Sequence, residues 1–136
     1  MLSLLSINET LQHWGEIGAA LEPAVKRDPK RDLGLVKAQV ATRNLVVWKS
    51  IGAIRAYVVT QITSEPEGRV FWTIYIAGEG KPSESRPLMR LLEQRALETG
   101  CKAHRFEGRK GWGKLFPDYE RTQGPDGRWH YRKGIQ

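Results

Sequence analysis

Cysteine is nearly absent from this chain: Cys101 is the only one in 136 residues. A lone cysteine excludes an internal disulfide, and with no CxxC or HxxxH spacing the sequence offers no metal-ligand set. Cys101 itself opens an apolar strand, where a small core residue is expected more often than a nucleophile. His13, His104 and His130 are far apart, and no GxSxG marks a serine nucleophile. Long apolar runs are missing too, so no segment reads as a membrane span. The opening MLSLLSI lacks the basic start and long apolar run of a signal peptide. These absences predict a reducing compartment, with the cytoplasm as the expected location. Basic residues are missing from the start of the chain: residues 1–25 hold three acids and no lysine or arginine.

What is present is ordinary for one globular domain. The chain is 40% apolar and 27% charged, and its length suffices to bury a core without staples. The net charge of +7 is concentrated in two segments: residues 26–55 hold eight bases against two acids, and residues 101–136 nine against four. Two such segments on one face would attract nucleic acid or an acidic partner; a solvated surface is the alternative. No repeat or low-complexity segment interrupts the chain.

Periodicity predicts a first helix. Ser6 and Glu9 have capping-box spacing, and Ile7, Leu11, Trp14, Ile17, Leu21 and Val25 recur every three or four residues. Pro23 should break or kink it. KRDPKRD at 26–32 reads as a linker, so residues 1–30 form a helical extension and 31–136 the core. A second helix starts at Asp32 as N-cap and runs to about Arg43. The segments 45–50, 54–63 and 69–77 read as strands, the last two joined by the turn SEPEG. A third helix spans Arg86 to Thr99, with Leu88, Leu91, Leu92 and Ala96 inward and Gly100 as its cap. The strand CKAHRFE follows, then the corner GRKGWGKLF at 108–116, then a hairpin turning at GPDG. This order predicts an α/β (α+β) fold, a mixed sheet flanked by helices.

The order resembles the GNAT acetyltransferase fold, without an obvious first strand. VKAQVATRNLVVWKS at 36–50, AYVVTQI at 56–62 and GCKAHRFEGRKGWGKLF at 100–116 resemble, more closely, GNAT-like proteins of tailed bacteriophages. Such a fold implies a mostly antiparallel twisted sheet. In active members the pyrophosphate of acetyl-CoA rests on backbone N–H groups of a Gln/Arg-x-x-Gly-x-Gly/Ala loop, at a helix N-terminus. That position here is GEGKPSESRP at 78–87. Gly78, Gly80, Lys81 and Arg86 suit a phosphate; Pro82, Pro87, Glu79 and Glu84 do not, and the motif is absent. Gly108, Gly111 and Trp112 fall at the later strand–helix corner and read as structural. Transfer also needs a base and an acid. The strand 69–77 offers no carboxylate; its Tyr75 reads as packing. Tyr119 lies near the acid's place in active relatives, with a strand aromatic as the competing reading.

Three functions are therefore expected in this order. The first is a non-catalytic phage protein, needing no cofactor and contacting head, portal or tail proteins in virion assembly or genome delivery. It would work in the bacterial host cytoplasm or within the virion, with self-association left open. The second is an acetyl-CoA-dependent N-acetyltransferase. The third is a nucleic-acid-binding accessory protein using Arg109, Lys110, Lys114, Arg128, Arg132 and Lys133 interleaved with Trp112, Trp129 and Tyr131.

Overall fold

The computed structural model describes residues 1–52, 55–79 and 85–135; of Glu79 only the backbone belongs to them. The elements are β1 (Leu2–Leu4), α1 (Ile7–Gln12), α2 (Trp14–Val25), α3 (Leu33–Ala41), β2 (Val46–Ser50), β3 (Arg55–Glu65), β4 (Gly68–Glu79), α4 (Ser85–Glu98), β5 (Ala103–Gly108), α5 (Trp112–Leu115), β6 (Glu120–Gln123) and β7 (Trp129–Gly134). The strands form a seven-stranded sheet ordered β1-β2-β3-β4-β5-β7-β6. β4 and β5 run parallel, with α4 as the crossover; β1–β2, β2–β3, β5–β7 and β6–β7 are antiparallel. No helix among the described residues is long and apolar enough to cross a membrane. The chain forms two compact units, Met1–Gln61 with Tyr75–Gly80, and Ile62–Ile74 with Lys81–Gln136.

The first unit corrects two expectations. The first strand is present: Leu2–Leu4 pairs with Trp48–Ser50, Leu2 is buried, and the terminal amine donates to the Ile51 carbonyl at 2.8 Å. Three residues are too few to show an alternating pattern, so this strand is visible only through its partner. The expected first helix is two, divided at His13. The reciprocal Ser6–Glu9 cap forms as the spacing predicts. Pro23 sits in the last turns of α2, which ends at Val25. Asp32 caps α3, its side chain accepting from the Leu35 N–H at 2.8 Å. Ile17, Leu21, Val36, Val40, Val47 and Val58 fill this unit's core. Trp48 spends its indole N–H on Thr60 Oγ1 at 2.8 Å, so its buried polar atom is satisfied.

Gly78 belongs to β4, where a Cβ would collide with the Arg55 carbonyl oxygen and the Ala56 backbone of β3. Backbone cannot swing aside as a side chain can. Gly78→Ala should therefore cost about 2 kcal/mol, of the order of other overpacking substitutions. Urea unfolding measures this, and an unchanged midpoint would mean that the strands separate there without cost.

In the second unit β5 lies between β4 and β7. Gly100 ends α4 at φ +75°, a conformation that favours glycine, and Cys101 N–H returns to the Ala96 carbonyl at 2.9 Å. Leu88, Met89, Leu92 and Ala96 are the buried face of α4; Met89 takes the place expected of Leu91. The GRKGWGKLF corner turns into the four-residue α5. Tyr131 donates to the Arg109 carbonyl at 2.5 Å and fixes the corner's first turn to β7.

Candidate functional site

Alternate residues of a strand share a face, so His104 and Phe106 of β5 point the same way. The register puts Phe71 and Thr73 of β4 beside them on one side, and Tyr131 and Lys133 of β7 on the other. Phe106 stacks on Tyr131 with ring centres 4.8 Å apart, and the rings of Trp112, Phe116 and Tyr119 close around it. Inside this apolar wall lies an unbroken polar chain. Thr73 Oγ1 is 2.7 Å from His104 Nε2, and His104 Nδ1 is 2.7 Å from the Tyr119 hydroxyl. That hydroxyl donates to Glu93 Oε2 at 2.7 Å. Lys133 Nζ donates to Glu93 Oε1 at 3.1 Å and to Asp118 Oδ2 at 2.7 Å.

The chain has a direction. Tyr119 gives its proton to Glu93, so at His104 the oxygen of Tyr119 accepts and Nδ1 donates. Neutral imidazole then has no proton on Nε2, which accepts from the Thr73 hydroxyl. His104 is neutral because it is wholly buried: desolvation and the nearby Lys133 charge push its pKa down to about 3. Burial and the Glu93 carboxylate push the Tyr119 hydroxyl well above its usual range. At the outer end, hydrogen bonding to Asp118 raises the Lys133 ammonium, and the same bond lowers the Asp118 carboxyl. Thr73 and Tyr119 are only 4% and 5% exposed, so three polar side chains sit in the core and each is partnered by the next.

Of the expected site residues, Tyr119 lies within this chain. Tyr75 packs in the other unit, its hydroxyl donating to Asp28 Oδ2 at 2.5 Å. Gly80 and Lys81 lie outside the described residues. Arg86 is exposed in the first turn of α4, and its Nε donates to the Leu115 carbonyl at 3.1 Å. Gly108 abuts Trp112, where a Cβ would stand 3.2 Å from Cδ1. Gly111 has helical backbone and open space around it, so nothing local requires glycine there.

The six expected contact cations divide into two sets. Arg128 pairs with Glu107, Arg132 with Glu67, and Lys133 with Glu93 and Asp118. Arg109, Lys110 and Lys114 are exposed at the corner. Among the described residues no cluster of three metal-ligating side chains occurs.

Thr73, His104 and Glu93 of the polar chain escaped the sequence reading, and the last two left a signal. Glu93 sits four residues after Met89 and three before Ala96, an acid on the flank of an apolar stripe. His104 sits two residues before Phe106, on the core face of a strand. Both were detectable as polar groups at apolar positions.

No protein-family model matches the sequence, and no curated protein does. Solved structures do. An acetyltransferase of the GNAT family from Listeria monocytogenes superposes with TM-score 0.64 at 9% identity, over 99% of this chain and 94% of that one. The aminoglycoside 6'-N-acetyltransferase from Enterococcus faecium gives 0.68 at 7% identity, over 100% and 97%. An N-acyl amino acid synthase from uncultured soil microbes gives 0.66 at 10% identity, over 99% and 90%. At such identities the similarity is one of architecture, and it runs the length of the chain: this protein has the GNAT fold.

Proposed function

We propose that this protein is an acetyl-CoA-dependent N-acetyltransferase whose base acts through the buried Thr73–His104–Tyr119–Glu93 chain. The directed chain is the observation that carries the reading. Burying the three polar groups Thr73, His104 and Tyr119 costs desolvation that an apolar core would avoid. The inner end of the chain, Thr73, is the last β4 residue in register with β5. The solved structures that this chain is similar to, acetyltransferases and an N-acyl amino acid synthase among them, support the same reaction class.

Arg86 fits a phosphate of the cosubstrate. It is exposed in the first turn of a 14-residue helix and has no ion pair among the described residues. Acetyl-CoA supplies a thioester whose C–S bond breaks as an N–C bond to an acceptor amine forms. The strand 69–77 has no carboxylate to take the amine proton. Glu93 fills that role from α4. A proton arriving at Thr73 Oγ1 releases the threonine's own proton to His104 Nε2. Nδ1 passes its proton to Tyr119, and Tyr119 passes its own to Glu93. His104, with its pKa near 3, conducts the proton and does not store it. The departing thiolate takes a proton from water.

Calorimetric titration with acetyl-CoA and with CoA tests the reading. Saturable binding at micromolar concentration is expected for both. No heat at millimolar cosubstrate would end the acetyltransferase proposal.

A further inference from the structure

Four of the bases of residues 101–136 are neutralised: Arg105 by Glu65 at 3.0 Å, Arg128 by Glu107 at 3.5 Å, Arg132 by Glu67 at 3.6 Å, and Lys133 by Asp118 at 2.7 Å. Those around the corner are not. Arg109, Lys110, Lys114 and Arg121 are exposed and form no ion pair among the described residues. They are also close together. Arg121 Nη1 lies 2.5 Å from where a Cβ of Gly113 would be. Lys110 Nζ and the Arg121 guanidinium stand 5.7 and 5.5 Å from the centre of the Trp129 ring.

Lys110 and Arg121 repel each other beside one indole, with Arg109 and Lys114 on the same corner, and none of the four has an acid partner among the described residues. The backbone of two of them is held in place: Tyr131 is completely buried and donates to the carbonyls of Arg109 and Lys110. The cations therefore stand on a preorganised turn, and a ligand would not have to order it. Cations beside a half-exposed tryptophan match a chain that alternates phosphates with flat rings.

We infer that the corner formed by Arg109, Lys110, Lys114, Arg121 and Trp129 binds single-stranded nucleic acid. Phosphates pair with the four cations, and a base stacks on the indole or on the Arg121 guanidinium lying against it. This is independent of the acetyl-transfer reading, because none of these residues belongs to the polar chain.

Fluorescence anisotropy with a fluorescein-labelled 20-nucleotide oligothymidylate tests it on the whole protein. Micromolar affinity is expected at 50 mM salt, with log affinity falling against log salt at a slope of about −3 for four neutralised phosphates. Lys110→Glu with Arg121→Glu should weaken binding at least tenfold. Trp129→Ala should weaken it about tenfold, while Trp129→Phe keeps most of it. Arg132→Gln, which removes a paired charge, should change affinity less than twofold. Equal loss in Arg132→Gln and the corner variants would reduce the effect to net charge and overturn the site. So would competition by a heparin fragment at equal charge concentration, or no binding at 50 mM salt. Full binding by Trp129→Ala would remove the stacking contact on which the choice of ligand rests.

Discussion

Tyr119→Phe is expected to lower kcat for acetyl transfer about a hundredfold, the low end of what acid–base groups contribute, and to leave KM for acetyl-CoA within twofold. The phenyl ring keeps the packing against Phe106 and Phe116 and deletes the one atom joining His104 to Glu93. Some stability is lost as well, about 1–3 kcal/mol, because His104 Nδ1 and a Glu93 oxygen lose their partner. A structural role would give that loss too, so the decisive comparison is with Thr73→Val, which cuts the chain at its other end. Residues serving one relay are not additive. The double variant should be no slower than either single one when thiol release from acetyl-CoA is followed with an amine acceptor. Multiplying losses would show two independent packing defects and no conducted proton.

The second large effect is on stability. His104 has its pKa depressed from 6.5 to about 3 in the fold, so the unfolded chain binds a proton that the folded chain refuses. Its contribution is complete above pH 6.5 and is lost as pH falls toward 3. Over the whole window the loss is about 4 kcal/mol at one proton per chain. The carboxylates held below their ordinary values, Glu9, Glu65 and Asp118, keep their contribution above about pH 4.5 and lose it only as pH falls beneath that. The interval from pH 6.5 to 4.5 therefore isolates the imidazole, and urea unfolding should lose about 2 kcal/mol across it. His104→Gln cannot titrate and should flatten that slope. An identical slope in the variant would place the acid sensitivity elsewhere.

Local grammar made much of the fold readable. The Ser6–Glu9 cap, the Asp32 cap, Gly100 after α4 and the GPDG turn each act over four residues or fewer, and each is where the sequence puts it. The resemblance supplied the architecture and placed GRKGWGKLF at the later corner. What was not readable depends on register. β1 exists through Trp48–Ser50, some 46 residues away. The polar chain joins residues 31, 15 and 26 positions apart, and no window shows that Thr73, His104, Tyr119 and Glu93 meet. The strand 69–77 lacks a carboxylate, and the proposed base, Glu93, would act from a helix through Tyr119, His104 and Thr73, an arrangement that leaves no motif. The virion-assembly reading rested on the resemblance, and it is this chain that moves the proposal to chemistry. The basic alternation of the last strand was visible; its neutralisation by Glu67, Glu93 and Glu107 was not, since those acids come from other elements.

Phe106, enclosed by Tyr131, Tyr119, Phe116 and Trp112, has one more consequence. A phenyl ring can rotate half a turn about its axis only if its neighbours briefly make room. Here one neighbour lies flat against it, and three approach edge-on or tilted. Two of those, Trp112 and Phe116, sit at the ends of the short helix that carries Lys114. The flip rate of Phe106, read from the averaging of its ring-proton resonances, is therefore expected to follow how readily these neighbours, two of them at the ends of that helix, make room.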